Sequence, residues 1–395
     1  MAGFSLLALG ALYRDVIVTI PSFPAEDTKL AAVSERVRVG GNISNSLTVL
    51  AQVVAAGTPL LYATVVGGPE PLWRPLVAAL EAQGITMLYE IRDGENATTP
   101  TAYIFESQAT GSRTIISHQL IPPLRSSEVT ALLFTHFMAG SALLHTHEYD
   151  EMLSQVWNAH APFFPSWLHF EGRDCFAAEG VIDHFTHRSE YKTSPCVISV
   201  ELEKHGRPGL DRLAGLADVL FVAEGYAREV VEEAKNSSWT GVGDTQLVVA
   251  FAQVFKRRVG RGRSVGASND VTVFMTMGAA GAYVLRFAGA ADAEVEAVHV
   301  PAPRLSAEEV VETTGAGDTF IAATIYAMGY RGWSAVKAAK VAVNVATRKC
   351  MQVGFGSLGT ADGFGRLESD DDPLGGVLSA RSSVGPDARR MEGLL

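Results

Sequence analysis

Short apolar runs alternate with segments of helical period along most of this chain. That alternation requires a sheet buried on both faces, because a strand with one wet face would alternate apolar and polar residues. The expected strands are Ser5 to Leu9, Leu60 to Val66, Trp167 to Phe170, Val197 to Val200, Val219 to Val222 and Val271 to Met275. Helices are expected over Ser46 to Ala55, Leu72 to Gln83, Gln246 to Arg257, Gly317 to Met328 and Ser334 to Met351. The fold class is therefore α/β, a mostly parallel sheet covered by helices on both sides. Further strand-like segments, Val16 to Ile20, Leu30 to Val39, Ala102 to Phe105 and Arg113 to Ser117, have no helix between partners and predict a small second sheet.

Two turns in this frame carry chemistry. The first is Glu312-Thr313-Thr314-Gly315-Ala316-Gly317-Asp318-Thr319-Phe320, expected to leave a valine strand end (Val310, Val311) and enter an apolar helix. Glycines there let the backbone approach a ligand closely. The N–H groups of Gly315, Ala316 and Gly317 would open the helix and form an anion hole suited to phosphate. Asp318 falls in the first helical turn, where a carboxylate beside an anion is awkward unless it takes a proton from something. The run reads as a phosphoryl-transfer site with Asp318 as its general base. An acidic residue placed by the helix dipole after an ordinary glycine turn would explain a bare G-x-G-D equally well.

The second turn is Gly40-Gly41-Asn42-Ile43-Ser44-Asn45-Ser46. Asn42 and Asn45 stand three apart in a first helical turn and face one way. Each amide offers donors and an acceptor, as adjacent hydroxyls of a polyol require. The alternative is that Asn42 is only an N-cap.

Together the two turns resemble the paired signatures of the ribokinase (carbohydrate kinase PfkB) family. Gly111-Ser112-Arg113-Thr114-Ile115, His169-Phe170-Glu171-Gly172-Arg173, Val200-Glu201-Leu202-Glu203-Lys204 and Arg348-Lys349-Cys350 follow in order and resemble the ketohexokinase group of that family. The resemblance implies a three-layer α/β/α ribokinase-like fold with a β-sheet lid, ATP and Mg²⁺ as cosubstrate and metal, and a sugar as acceptor. It further implies sugar contacts at Asp15 after the first strand, Gly41, Asn42, Asn45, Arg113 and the lid residue Asp27. Asp15 as a turn former, Asp27 as a plain loop residue and Arg113 in a cross-strand ion pair are the plainer alternatives.

For the nucleotide, Thr276, Gly278 and Gly281 resemble the family's T-x-G-x-x-G turn, which a hairpin turn explains as well. Val343, Ala346 and Cys350 share one helix face and line the adenine pocket on this reading, or simply pack in the core. Glu203 and Glu224 are the carboxylates expected near Mg²⁺, through water. Two departures stand out. Glu312 replaces the aspartate common in the family, which bears on the K⁺ that many members bind, and Ala223-Glu224-Gly225-Tyr226 replaces the N-x-x-E magnesium motif.

A net charge of -11 disfavours nucleic acid and anionic membrane as partners. Three widely spaced cysteines fit a reducing compartment, and the N-terminus lacks a basic signal region, so a cytoplasmic protein is expected. The kinase domain is expected over residues 1–365, with lid strands within 13–40 and 101–118, an insertion at about 133–165, and a disordered tail over 366–395. The basic stretch Lys256 to Arg263 reads as a solvated loop. The expected activity is phosphoryl transfer from ATP to a ketohexose such as fructose at C1, by a homodimer joined through the lid. Alternatives are a kinase for another small polyol or nucleoside, and a catalytically weak sugar or nucleotide sensor.

Overall fold

The computed structural model describes residues 3–94, 97–138, 163–188, 190, 196–259, 270–287 and 295–359. The described strands are β1 (Leu6–Leu9), β2 (Tyr13–Ile20), β3 (Ser34–Gly40), β4 (Leu60–Gly67), β5 (Thr86–Arg92), β6 (Thr101–Ser107), β7 (Arg113–His118), β8 (Trp167–Glu171), β9 (Val197–Leu202), β10 (Val219–Ala223), β11 (Val271–Thr276), β12 (Ala282–Phe287) and β13 (Glu296–Val300). The helices are α1 (Asn42–Leu50), α2 (Glu70–Glu81), α3 (Ser126–Met138), α4 (Cys175–Thr186), α5 (Leu210–Ala214), α6 (Glu224–Lys235), α7 (Asp244–Val259), α8 (Ala316–Ile325) and α9 (Ala335–Cys350).

The large sheet has the order β13-β12-β11-β10-β9-β8-β1-β4-β5. It is parallel from β5 to β11 and antiparallel at β12 and β13. Both faces are buried, as the apolar runs require. Along β1, Leu7 and Leu9 join the core that packs α4, α6 and α7, while Leu6 and Ala8 join the core that packs α1, α8 and α9. β1 lies between β4 and β8, so the chain winds outward in both directions from it. That reversal opens a crevice at the carboxyl ends of the strands. The second sheet, β3-β2-β6-β7, stands over this crevice as the lid.

Every strand expected in the two sheets is present, with boundaries moved by a few residues, whereas the expected valine strand end before the anion turn is not. Leu30 to Val33 are exposed loop, and β3 begins only at Ser34. Helix α1 begins at Asn42, four positions before the expected start, because Gly41 (φ 100°) turns the chain directly into it. The valines Val310 and Val311 form no strand and are exposed. Their segment is held by the last carbonyl of α9, since Cys350 O accepts from the N–H groups of Val311 (2.7 Å) and Glu312 (3.1 Å). The sequence reading omitted β5, β12, β13 and helices α3 to α6. Helix α7 carries the start of the basic stretch, and 260–263 lie outside the described residues. Most of the expected insertion (139–162) and the tail 366–395 also lie outside them. Among the described residues, no helix is long and apolar enough to cross a membrane.

Candidate active site

A cavity of about 440 Å³ lies between the lid and the carboxyl ends of β9, β10 and β11. Both signature turns open onto it, for the same local reason. Gly41 has φ 100° and a Cβ there would lie 2.3 Å from Ala11 O. Gly315 has φ 80° and a Cβ there would lie 2.4 Å from the Phe355 ring. Each glycine caps a helix whose first turn faces the cavity, α1 and α8 respectively. Gly40 serves the site differently, because a Cβ at that position would sit 2.0 Å from the Asp15 carboxylate; glycine leaves Asp15 its room.

The two helix starts are joined directly. Asn45 Nδ2 donates to Asp318 Oδ2 (2.7 Å), and Ser46 Oγ donates to Asp318 O (3.1 Å). Asn42 is not an N-cap; its amide donates to Glu201 Oε2 at 2.8 Å. Asp318 is held well above the usual carboxylate range, first by burial and then by the charge of Glu201, against the lowering effect of Asn45. It is thus a carboxylate with raised proton affinity, set at a helix N-terminus.

Glu201 is itself pushed up to about 8, by burial and then by Glu171. A chain of hydrogen bonds behind it fixes where its proton sits. Ser199 Oγ donates to Leu168 O (3.2 Å) and accepts from Trp167 Nε1 (2.7 Å). Its remaining lone pair faces His169 Nδ1 at 2.9 Å, which must then carry the ring proton. Burial lowers His169 to about 3, so the ring is neutral and Nε2 is an acceptor. Nε2 lies 3.1 Å from Glu201 Oε1, which completes the chain as a carboxylic acid O–H. Glu201 and Asp318 therefore titrate as a coupled pair, and Glu201 holds a proton when Asp318 is ionised, so that the two do not carry like charges at once.

The expected residues divide by whether they line the cavity. Asp15, Gly41, Asn42, Asn45, Arg113, Glu203, Thr276, Gly315, Gly317 and Asp318 line the cavity. Asp15 lies within β2 of the lid rather than at the end of the first strand, and pairs with Arg38 Nε at 3.5 Å. Burial raises its pKa, opposed by Arg38. Arg113 on β7 donates to Thr314 Oγ1 and to Thr313 Oγ1 (3.2 Å) at the anion turn. No described carboxylate pairs with it, so the cross-strand alternative falls; Glu106, its register partner, binds Arg36 instead.

The other expected residues do not line the cavity. Gly278 and Gly281 form the tight turn between antiparallel β11 and β12. Ala316 opens α8 between two glycines that do line it. Val343 is in the core, with Ala346 packed against it and Cys350 half-buried, all on α9. Asp27 sits in an exposed turn at φ 59°, and Glu224 pairs with Arg228.

Sequence reasoning gave no role to Glu171, His169, Arg173, Glu201, Arg38 or Lys349. Glu171 accepts from Ala11 N (2.9 Å) and from Arg173 Nε (2.8 Å), so it holds the loop between β1 and β2 at the crevice. A signal for Glu171 and Glu201 was present: each is a carboxylate at the end of an apolar strand, a place where an unpaired charge is costly.

The helix-flanked, mostly parallel sheet with its four-stranded lid defines a ribokinase-like fold. Residues 188–358 match the family model described as pfkB family carbohydrate kinase. Ketohexokinase of Mus musculus is 25% identical over 353 residues, covering 89% of this chain and 97% of that protein. The ribokinase of Giardia lamblia superposes with a TM-score of 0.64 at 14% identity, over 90% of this chain and 95% of that one. The ribokinase of Cryptococcus neoformans var. grubii serotype A, solved in complex with ADP, gives 0.55 at 17% identity, over 90% and 95%. The chain thus has a ribokinase-like fold, and its residues 188–358 are similar to the pfkB family of carbohydrate kinases.

Proposed function

We propose that this sugar kinase transfers the γ-phosphoryl group of ATP to a ketohexose such as fructose, at its primary C1 hydroxyl. One observation carries the mechanism: Asp318, with raised proton affinity, is fixed by Asn45 beside the Gly315–Gly317 backbone. Asp318 accepts the proton of the attacking hydroxyl, assistance worth about 10²- to 10⁴-fold. The N–H groups of Gly315, Ala316 and Gly317 take the charge that develops on the transferred group, each donor contributing on the order of 3 kcal/mol. Asp15, Gly41, Asn42 and Asn45 hold the sugar, and Arg113 faces the phosphoryl group from the lid.

Thr276, which lines the cavity beside the third glycine turn, meets the nucleotide on this reading, with Gly278 and Gly281 shaping that turn. Val343, Ala346 and Cys350 back the adenine side. No group of three or more metal-binding side chains exists among the described residues. That suits Mg²⁺, which arrives on nucleotide phosphates and needs only one or two protein carboxylates, Glu203 and Glu224 being the candidates.

The ketohexose assignment rests on the likeness to mouse ketohexokinase along nearly all of that protein. A nucleoside or other small polyol is the second reading, favoured by the apolar Ile104 and Ile115 on the cavity's lid wall. The outer lid face carries an apolar row, Val37, Val16, Tyr103 and Ile116 in register, three of them exposed. This supports a homodimer through the lid, with Asp27 reaching the neighbouring site.

ADP release with Mg-ATP across fructose, other ketoses, ribose and adenosine tests the assignment, on protein whose mass is read by light scattering. Selective turnover of fructose by a dimer is expected. Turnover of adenosine or ribose instead would replace the acceptor, silence with every acceptor would favour a sensor, and a monomeric mass would remove the dimer.

A further inference from the structure

Behind the anion turn lies an ammonium group whose polar partners are all oxygens. Lys349, in the last turn of α9, is 0% exposed. Its Nζ donates to Glu312 Oε2 (2.8 Å), to Glu312 O (3.2 Å) and to Gln352 O (3.4 Å). The Glu312 carboxylate is otherwise filled, Oε1 by Arg38 Nη1 (3.0 Å) and Oε2 also by the N–H of Gly354 (2.8 Å). The Phe355 ring closes the site, with its centroid 5.4 Å from Nζ, and stands where a Cβ on Gly315 would be. Lys349 therefore ties the segment that starts the anion turn to the loop after α9.

Packing alone does not call for this charge. A buried ion pair costs desolvation, and an apolar side chain of similar volume often serves stability as well or better. What the ammonium adds is electrostatic and local. Together with Arg38, it offsets the negative charge that Glu312 would place three residues before Gly315, where an incoming anion must bind. It also donates to two backbone carbonyls, Glu312 O and Gln352 O.

We propose that Lys349 is a positioning residue whose ammonium acts as a tethered cation beneath the anion turn, so that phosphoryl transfer requires no free monovalent cation. The inference rests on the transfer site proposed above. A K⁺ ion beside Glu312 does not fit, because the carboxylate and carbonyl oxygens that would hold it already face Nζ, Arg38 and a backbone N–H.

The test begins with the wild-type protein and Mg-ATP as its Tris salt, in choline, sodium or potassium chloride at equal ionic strength. Turnover is expected to agree within about twofold, whereas stimulation beyond about fivefold by K⁺ overturns the proposal. Lys349→Met should lower kcat by about 10- to 100-fold while the sugar KM stays within about threefold; an unchanged kcat overturns it. In Lys349→Ala, K⁺ or ammonium should restore part of kcat, and a folded variant that no cation restores counts against the tethered role.

Crystals soaked in thallium(I) give a readout independent of activity. No thallium beside Glu312 in the wild type supports the proposal, and thallium there overturns it even if either variant fails to fold. Wild-type silence with every acceptor would sink the transfer reading instead, leaving the thallium experiment to decide the cation question alone.

Discussion

Three glycine turns shape this molecule, and two of them differ in kind from the third. Gly41 and Gly315 each start a helix, and each brings a polar side chain of that first turn to the cavity. Gly278 and Gly281 close a hairpin, and neither reaches the cavity wall. Glycine is required in both settings, but by different neighbours. At Gly41 it is the backbone of the crevice loop, at Gly315 the ring over Lys349, and at Gly281 the edge of β13, where a Cβ would lie 2.2 Å from Val300 O. A glycine motif thus marks a close approach, and only the element that follows it says whether the approach serves a ligand or the fold.

The sharpest way to break this contrast is Asp318→Asn. The amide keeps the contact with Asn45 by rotation and removes only the proton acceptor, so kcat should fall by about 10²- to 10⁴-fold. Sugar and ATP binding, measured by calorimetry, should stay within a few-fold. Substantial remaining turnover would leave the Gly315 turn as a phosphate cradle without a base.

Glu201→Gln probes the partner of the other helix turn and should have a smaller, pH-dependent effect. Glu201 sits at about 8 in the fold against an ordinary value near 4.5. The folded state therefore binds the extra proton, and wild-type stability should decline as pH rises through that window, by about 1.4 kcal/mol per unit. Glutamine has no proton to lose and still accepts from Asn42. The variant's advantage in melting temperature should be absent below pH 4.5, grow up to about pH 8, and level off above it. A gap that does not change with pH would mean that Glu201 is ionised in the wild type and that the His169–Ser199 chain runs the other way.

Much of this arrangement was legible in the sequence. The parallel core could be read because its strands are short and apolar throughout, and the two helix-starting turns because their residue types are unusual together. What escaped had physical reasons. The edge strand β13 mixes charged and apolar residues, and α6 buries only Tyr226, Ala227, Val230 and Val231 of a largely charged segment. Lys349 stands beside Arg348 in the sequence, and only the fold reveals that one of these two adjacent cations is enclosed. Asp15 lies on the lid strand β2 rather than at the end of the first strand, because Gly10 to Leu12 turn the chain out of the main sheet before it.

The smallest effect is expected at the third turn, and it tests the contrast where it is weakest. Gly278 has φ 51°, and a Cβ there meets nothing within 4 Å. Gly278→Ala therefore pays only for a left-handed conformation, about 1 kcal/mol, seen as a melting temperature lowered by a few degrees. If Thr276 alone meets the nucleotide, the ATP KM should stay within about threefold and the sugar KM should not move. A rise in ATP KM beyond about tenfold, with stability little changed, would mean that phosphate approaches this backbone closely as well. The hairpin would then join the two helix starts as a ligand turn, and the distinction between them would rest on which substrate each one holds.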